Sequence, residues 1–128
     1  MTRVVHCKRE RFDRYIGRNP NPEKGKFGNP FSHKRDSQAL VVVSCVEVAM
    51  DYCGLWLEEG ESFLESIQIE KGSDLFKTLM EKRRVILECL HELDGKVLGC
   101  WCKVKPTDVC HGDIYVKMLS EKHSAGKK

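Results

Sequence analysis

The spacing of apolar residues changes several times along this chain, and each change marks an element. Val4-Val5-His6-Cys7 is short and β-branched, and residues 11–18 (RFDRYIGR) alternate Phe12, Arg14 and Ile16 against Arg11, Asp13 and Tyr15. That alternation predicts two strands, and the short link between them predicts a hairpin. Residues 17–30 (GRNPNPEKGKFGNP) hold three Gly, three Pro and three Asn, which is loop chemistry. The run from Ala39 to Val43 is apolar and β-branched, favouring a short strand.

Helical spacing takes over next. Ser44-Cys45-Val46-Glu47 has capping-box spacing, so a helix is expected from about Cys45 to Glu58, burying Val46, Ala49, Met50, Cys53, Trp56 and Leu57. A short helix is expected within residues 62–69. Ser73 or Asp74 can cap a longer one with the stripe Leu75, Leu79, Ile86, Leu90 and Leu93, stopped by Asp94-Gly95. Residues 96–101 (KVLGCW) read as a strand, residues 102–110 as a loop, and Asp113 to about Glu121 as a last helix before a frayed tail. The order predicts an α/β or α+β domain: a small three- to four-stranded sheet with about three helices packed on it, over residues 1–121 with a flexible tail at 122–128.

Composition narrows the class. A chain of 128 residues with 41% apolar content suits one core. No apolar run is long enough to span a bilayer, and the opening MTRVVHCKRER lacks the apolar segment of a signal peptide, so the expectation is a cytoplasmic protein with no membrane partner. Seven cysteines in a reducing compartment are core fillers, metal ligands or reactive groups. Charge is uneven: residues 1–35 carry ten Lys/Arg against three Asp/Glu, residues 36–95 five against thirteen, and residues 96–128 seven against three. Basic ends can receive an anionic partner, although a net charge of +3 is small for a nucleic-acid footprint.

Four stretches together, YIGR (15–18), GNPF (28–31), LGCWC (98–102) and CHGD (110–113), resemble a domain-of-unknown-function family spread through phages, bacteria and some eukaryotes. The likeness covers nearly the whole chain. It implies a small α/β fold and no settled activity. The seven residues between Cys102 and Cys110, and the segment from Ser62 to Ser73, depart from the pattern by their length.

Chemistry concentrates in residues 99–113 (GCWCKVKPTDVCHGD). Cys100, Cys102, Cys110 and His111 form a Cys₃His set suited to zinc. Their spacing weighs against it, because Cys100 and Cys102 fall on one face of a strand and the side chains of neighbouring Cys110 and His111 are expected to diverge. On that reading Cys100 and Cys102 are scaffold, with Trp101 on the opposite face.

Cys110-His111-Gly112-Asp113 opens a helix, where an anion is favoured; Cys110, His111 and Asp113 are the candidate nucleophile and acid/base groups, and Gly112 permits close approach. Asp113 as an ordinary helix cap is the plainer alternative. Tyr15, Gly17, Arg18, Gly28 and Asn29 are the candidate ligand-binding residues, with Arg18 the fork for phosphate or carboxylate and Tyr15, Phe27 or Trp101 the ring platform. The leading expectation is binding or processing of an anionic, nucleotide-like or nucleoside-derived small molecule at a cleft shared by Arg18, Asn29, His111 and Asp113, with hydrolase or transferase chemistry if it is catalytic and no cofactor. The rivals are a zinc-stabilised interaction module and a nucleic-acid-binding accessory protein.

Overall fold

A computed structural model describes residues 2–18, 21, 25–33, 39–100 and 110–125. Its element order is β1 (Arg3–His6), β2 (Arg14–Tyr15), β3 (Phe31–Ser32), β4 (Val41–Val42), α1 (Val46–Glu59), α2 (Glu61–Ser66), α3 (Asp74–Cys89), a 3₁₀ turn (Leu90–Leu93), β5 (Val97–Cys100) and α4 (His111–Ala125). The mixed α/β class expected from the sequence holds. Two small parallel sheets carry it: three strands in the order β1-β5-β2, and β3 beside β4.

The expected hairpin is not formed. β1 and β2 each pair in parallel with β5, which lies between them: Val4 is opposite Leu98 in one register and Arg14 opposite Leu98 in the other. Residues 7–13 therefore form a crossover. The turn after β1 closes on itself, with Arg9 and Glu10 N–H groups donating to the His6 carbonyl, and the segment then returns across β5. Gly99 makes the return possible, since a Cβ there would lie 2.5 Å from the Phe12 ring. A period-two pattern describes any extended segment, so alternation alone does not separate a crossover from a strand.

Central strand β5 is covered on both faces, and Leu98, Gly99 and Cys100 are all buried, as expected of a parallel strand. α4 packs against β1, and α1 against α2, α3, α4 and β3. Phe31 of the GNPF stretch plugs the second sheet into the helices, its ring edge-on to Tyr52, Trp56 and Phe63 at 5.8–6.3 Å. Such contacts add about 0.5–1.5 kcal/mol per pair beyond burial.

Two helix starts differ from the sequence reading. Cys45, not Ser44, is the N-cap of α1, in extended backbone and without a side-chain cap bond; Val46 consequently starts the helix on its exposed side. Ser73 caps α3 as expected, its Oγ accepting from the Phe76 N–H at 3.1 Å. α4 begins two residues before Asp113 and runs on to Ala125. None of the described helices is long and apolar enough to cross a membrane.

Candidate functional site

The stretches singled out in the sequence meet around the carboxyl end of β5. YIGR continues from β2, GNPF leads into β3, Cys100 ends β5, and Cys110 stands immediately before α4. His111 is the tie. Its Nε2 lies 2.7 Å from the Ile16 carbonyl and 3.1 Å from the Phe27 carbonyl, and one turn on Tyr115 donates its hydroxyl to the same Phe27 oxygen at 2.6 Å. Carbonyl oxygens only accept, so Nε2 carries a proton, and in the neutral ring this leaves the lone pair on Nδ1. Burial, with the nearby Cys53 and Cys110 sulfurs adding to it, holds the Tyr115 hydroxyl well above the ordinary phenol range.

Nδ1 faces sulfur. Cys110 Sγ lies 3.9 Å from it, which corrects the expectation that these adjacent side chains diverge. The backbone changes direction where the helix begins, so the residue before α4 and its first residue turn towards the same interior space. Cys100 completes the group from the end of β5: one ligating atom from each of Cys100, Cys110 and His111 lies within 4.8 Å of the others, and all three residues are buried. Cys102 and Trp101 lie outside the described residues.

The start of α4 satisfies itself. Asp113 Oδ2 accepts from the Cys110 N–H at 3.2 Å, and Cys110 Sγ accepts from the Gly112 N–H at 3.4 Å. Asp113 is exposed and its carboxylate works as a cap. Gly112 is buried against the sheet, where a Cβ would lie 2.6 Å from Ile16 Cδ1 and 2.8 Å from Val4 Cγ2. Its close approach in this structure is to protein.

The basic part of the site lies along residues 25–32. Arg18 donates from Nη1 to the Asn29 carbonyl at 3.1 Å and from Nη2 to Ser32 Oγ at 3.4 Å. Lys82 of α3 donates to the carbonyls of Lys26 at 3.2 Å and Gly25 at 3.4 Å. Among the described residues no carboxylate pairs with Lys82. Burial pushes its ammonium below the usual lysine range; the Cys53 sulfur opposes this, and the charge of Arg18 adds to it. Asn29 locks the loop, donating from Nδ2 to the Ala49 carbonyl and accepting the Phe31 N–H. Gly28 lets the two strands of loop touch, with Arg18 Cα 2.9 Å from where its Cβ would be.

Arg18, Gly28 and Asn29 are thus brought together as expected. Asn29 and His111, however, are only 2% and 4% exposed, so the four-residue open cleft is corrected to an interior tie with Arg18 half-buried beside it. Tyr15 is half-buried, with its hydroxyl folded over Gly17. Phe27 is no ring platform: it is 1% exposed, with Arg14 and Lys26 cations 5.4 and 5.6 Å from its centroid.

Two functional candidates were missed, Lys82 and Tyr115. Lys82 left a trace, because the α3 stripe skips from Leu79 to Ile86 and the intervening inward turn is filled by Lys82 and Arg83. Tyr115 stands one turn after His111, a spacing that places both on one helix face.

No curated protein and no solved structure matches this chain. Residues 3–121 match a family, and by that match the chain belongs to the one described as "Domain of unknown function (DUF4326)".

Proposed function

We propose that this protein binds an anionic, phosphorylated small molecule of the nucleotide or nucleoside-derived class at the surface formed by the YIGR and GNPF loops. One observation carries the reading: Arg18 and Lys82, from different elements, both direct their cationic heads at carbonyls of the same five residues, 25–29. The two cations are also near enough for the charge of Arg18 to help hold the Lys82 ammonium below its usual range, so they form one locally basic patch. A phosphate group would answer two convergent cations, and the planar guanidinium of Arg18 suits its geometry. Position supports the same reading, because ligands of open parallel sheets bind beyond the carboxyl ends of the strands, and Arg18 lies there, three residues after β2.

CHGD contributes to this site by holding it. His111 and Tyr115 fix the carbonyls of Ile16 and Phe27, one on each side of the Arg18–Gly28 contact. With Cys110 and His111 buried, the proposal is of binding.

Thermal shift with a panel of nucleoside mono-, di- and triphosphates, sugar phosphates and unphosphorylated nucleosides tests it. A phosphorylated compound at ~100 times its Kd adds about 2.7 kcal/mol of stability, whereas its unphosphorylated parent adds far less. Arg18→Lys keeps charge but loses the fork, and should shrink the shift. If no phosphorylated compound moves the midpoint, or Arg18→Lys and Lys82→Gln respond as the wild type does, the reading fails.

A further inference from the structure

We infer that Cys100, Cys110 and His111 form a buried site for a divalent cation of the zinc class, joining the end of β5 to the start of α4. Two thiols and an imidazole from two separate elements have their ligating atoms within 4.8 Å of one another. Tetrahedral zinc with bonds of roughly 2.3 Å to sulfur and 2.0–2.1 Å to nitrogen places such donors roughly 3.6–3.8 Å apart. The Cys110 Sγ to His111 Nδ1 separation, 3.9 Å, is already close to that. Small rotations at Cys100 would bring in the third donor.

Proximity alone would also suit three core fillers, since buried cysteine commonly packs as a small hydrophobe. Two further features favour a metal. The His111 ring donates its Nε2–H to main-chain carbonyls, which fixes the tautomer with the Nδ1 lone pair towards the thiols; this is how a metal-bound histidine is oriented from its outer side. Cys110 Sγ accepts the Gly112 N–H at the start of a helix, a contact that orients the sulfur from its outer side as the carbonyls orient the ring.

Charge balance completes the argument. Two thiolates, one neutral imidazole and one divalent cation sum to zero, so the group can be buried where an isolated charge could not. Soft sulfur donors with imidazole select zinc over magnesium or calcium. The described residues supply three corners of the tetrahedron. On binding, both thiols lose their protons, and the ion holds them as thiolates.

The reduced full-length protein, stripped by a chelator and titrated with cobalt(II) under anaerobic conditions, provides the test. The expected result is a one-to-one complex with a sulfur-to-cobalt charge-transfer band and tetrahedral visible bands, displaced by zinc, with roughly two protons released per ion. Zinc should raise the thermal midpoint of the stripped protein. Cys100→Ser should weaken the band, since one of its two thiolate donors is removed, and Cys89→Ser, outside the cluster, should keep it in full. Should Cys100→Ser fail to fold, the wild-type spectrum and proton count decide. Absence of the charge-transfer band, a band unchanged in Cys100→Ser, or a Cys100–Cys110 disulfide in place of bound metal overturns the inference.

Discussion

Replacing Gly28 by alanine tests whether the YIGR and GNPF loops are held in contact by close packing. The new Cβ would lie 2.9 Å from Arg18 Cα and 3.0 Å from both Arg18 N and Arg18 Cγ. Two of these atoms are backbone and cannot rotate aside, so the loops must separate by several tenths of an ångström. Overpacking of this kind costs about 1–3 kcal/mol. The backbone itself accepts alanine, because Gly28 is not among the residues with positive φ, and the less flexible unfolded chain returns about 0.4–1 kcal/mol. Separation also stretches the 3.1 Å bond from Arg18 to the Asn29 carbonyl, a charged bond on a half-buried group that adds a modest further loss.

The net expectation is a loss of about 2 kcal/mol, or roughly 6–10 °C in Tm for a chain of this size. Urea denaturation followed by circular dichroism measures it, with Gly54→Ala as the comparator. In that helix position the new methyl meets only Ile114 Cδ1 at an ordinary 3.7 Å, so a gain of up to ~1 kcal/mol is expected from helix propensity. A Gly28→Ala protein as stable as the wild type, with its response to phosphorylated ligands intact, would refute the reasoning.

Helix capping and alkaline stability provide two further checks. Ser73→Ala should lower stability by about 1 kcal/mol by removing the bond to the Phe76 N–H, whereas Ser44→Ala should leave the urea midpoint unchanged, since Ser44 is outside the cap. Burial pushes the Cys53 thiol up from 9.0 to about 12, with Lys82 pulling the other way. The folded state therefore keeps a proton that the unfolded chain loses: this stabilisation is complete below pH 9.0 and is lost as the pH rises towards about 12. Its full value is ~4 kcal/mol at about 1.4 kcal/mol per pH unit. Lys82, whose ammonium is depressed, has the opposite sign and recovers part of this as the pH approaches 10.5. Urea midpoints over roughly pH 8 to 10 should fall less steeply in Cys53→Ala than in the wild type, and equal slopes would contradict this account.

Helices were legible here because their signal is repeated. The stripe Leu75, Leu79, Ile86, Leu90 and Leu93, the Ser73 cap and the Gly95 stop agree with one another, and the structure has Phe76, Leu79, Ile86, Leu90 and Leu93 buried. Strands of two to four residues offer no such repetition. The alternation at residues 11–18 fits an antiparallel partner or a crossover equally well, and the choice rests on a contact from far along the chain: β5 inserts between β1 and β2 with Gly99 beneath Phe12. Ser44 failed for a related reason. A helix end can lie a residue or two away without changing the apolar stripe, and here Cys45 stands at the N-cap with Ser44 one residue before it.

The site was legible as a set of motifs and not as roles, and His111 shows why. Histidine beside cysteine and aspartate at a helix start suggests reactive chemistry, but a residue's role depends on where its ring nitrogens end up. Nε2 meets carbonyls 95 and 84 positions away, which no local spacing encodes. That contact fixes the tautomer, the tautomer turns the Nδ1 lone pair to Cys110, and the strand register brings Cys100 alongside. Divergence was expected of Cys110 and His111 because they are immediate neighbours, whereas the chain enters a helix between them and both side chains are buried. Each step that converts the motif into a candidate metal site is therefore a consequence of the parallel β1-β5-β2 order, the feature that residues 4–18 alone could not reveal. If cobalt(II) shows no thiolate coordination, that same chain of contacts leaves His111 a structural residue that binds two loops through its Nε2–H.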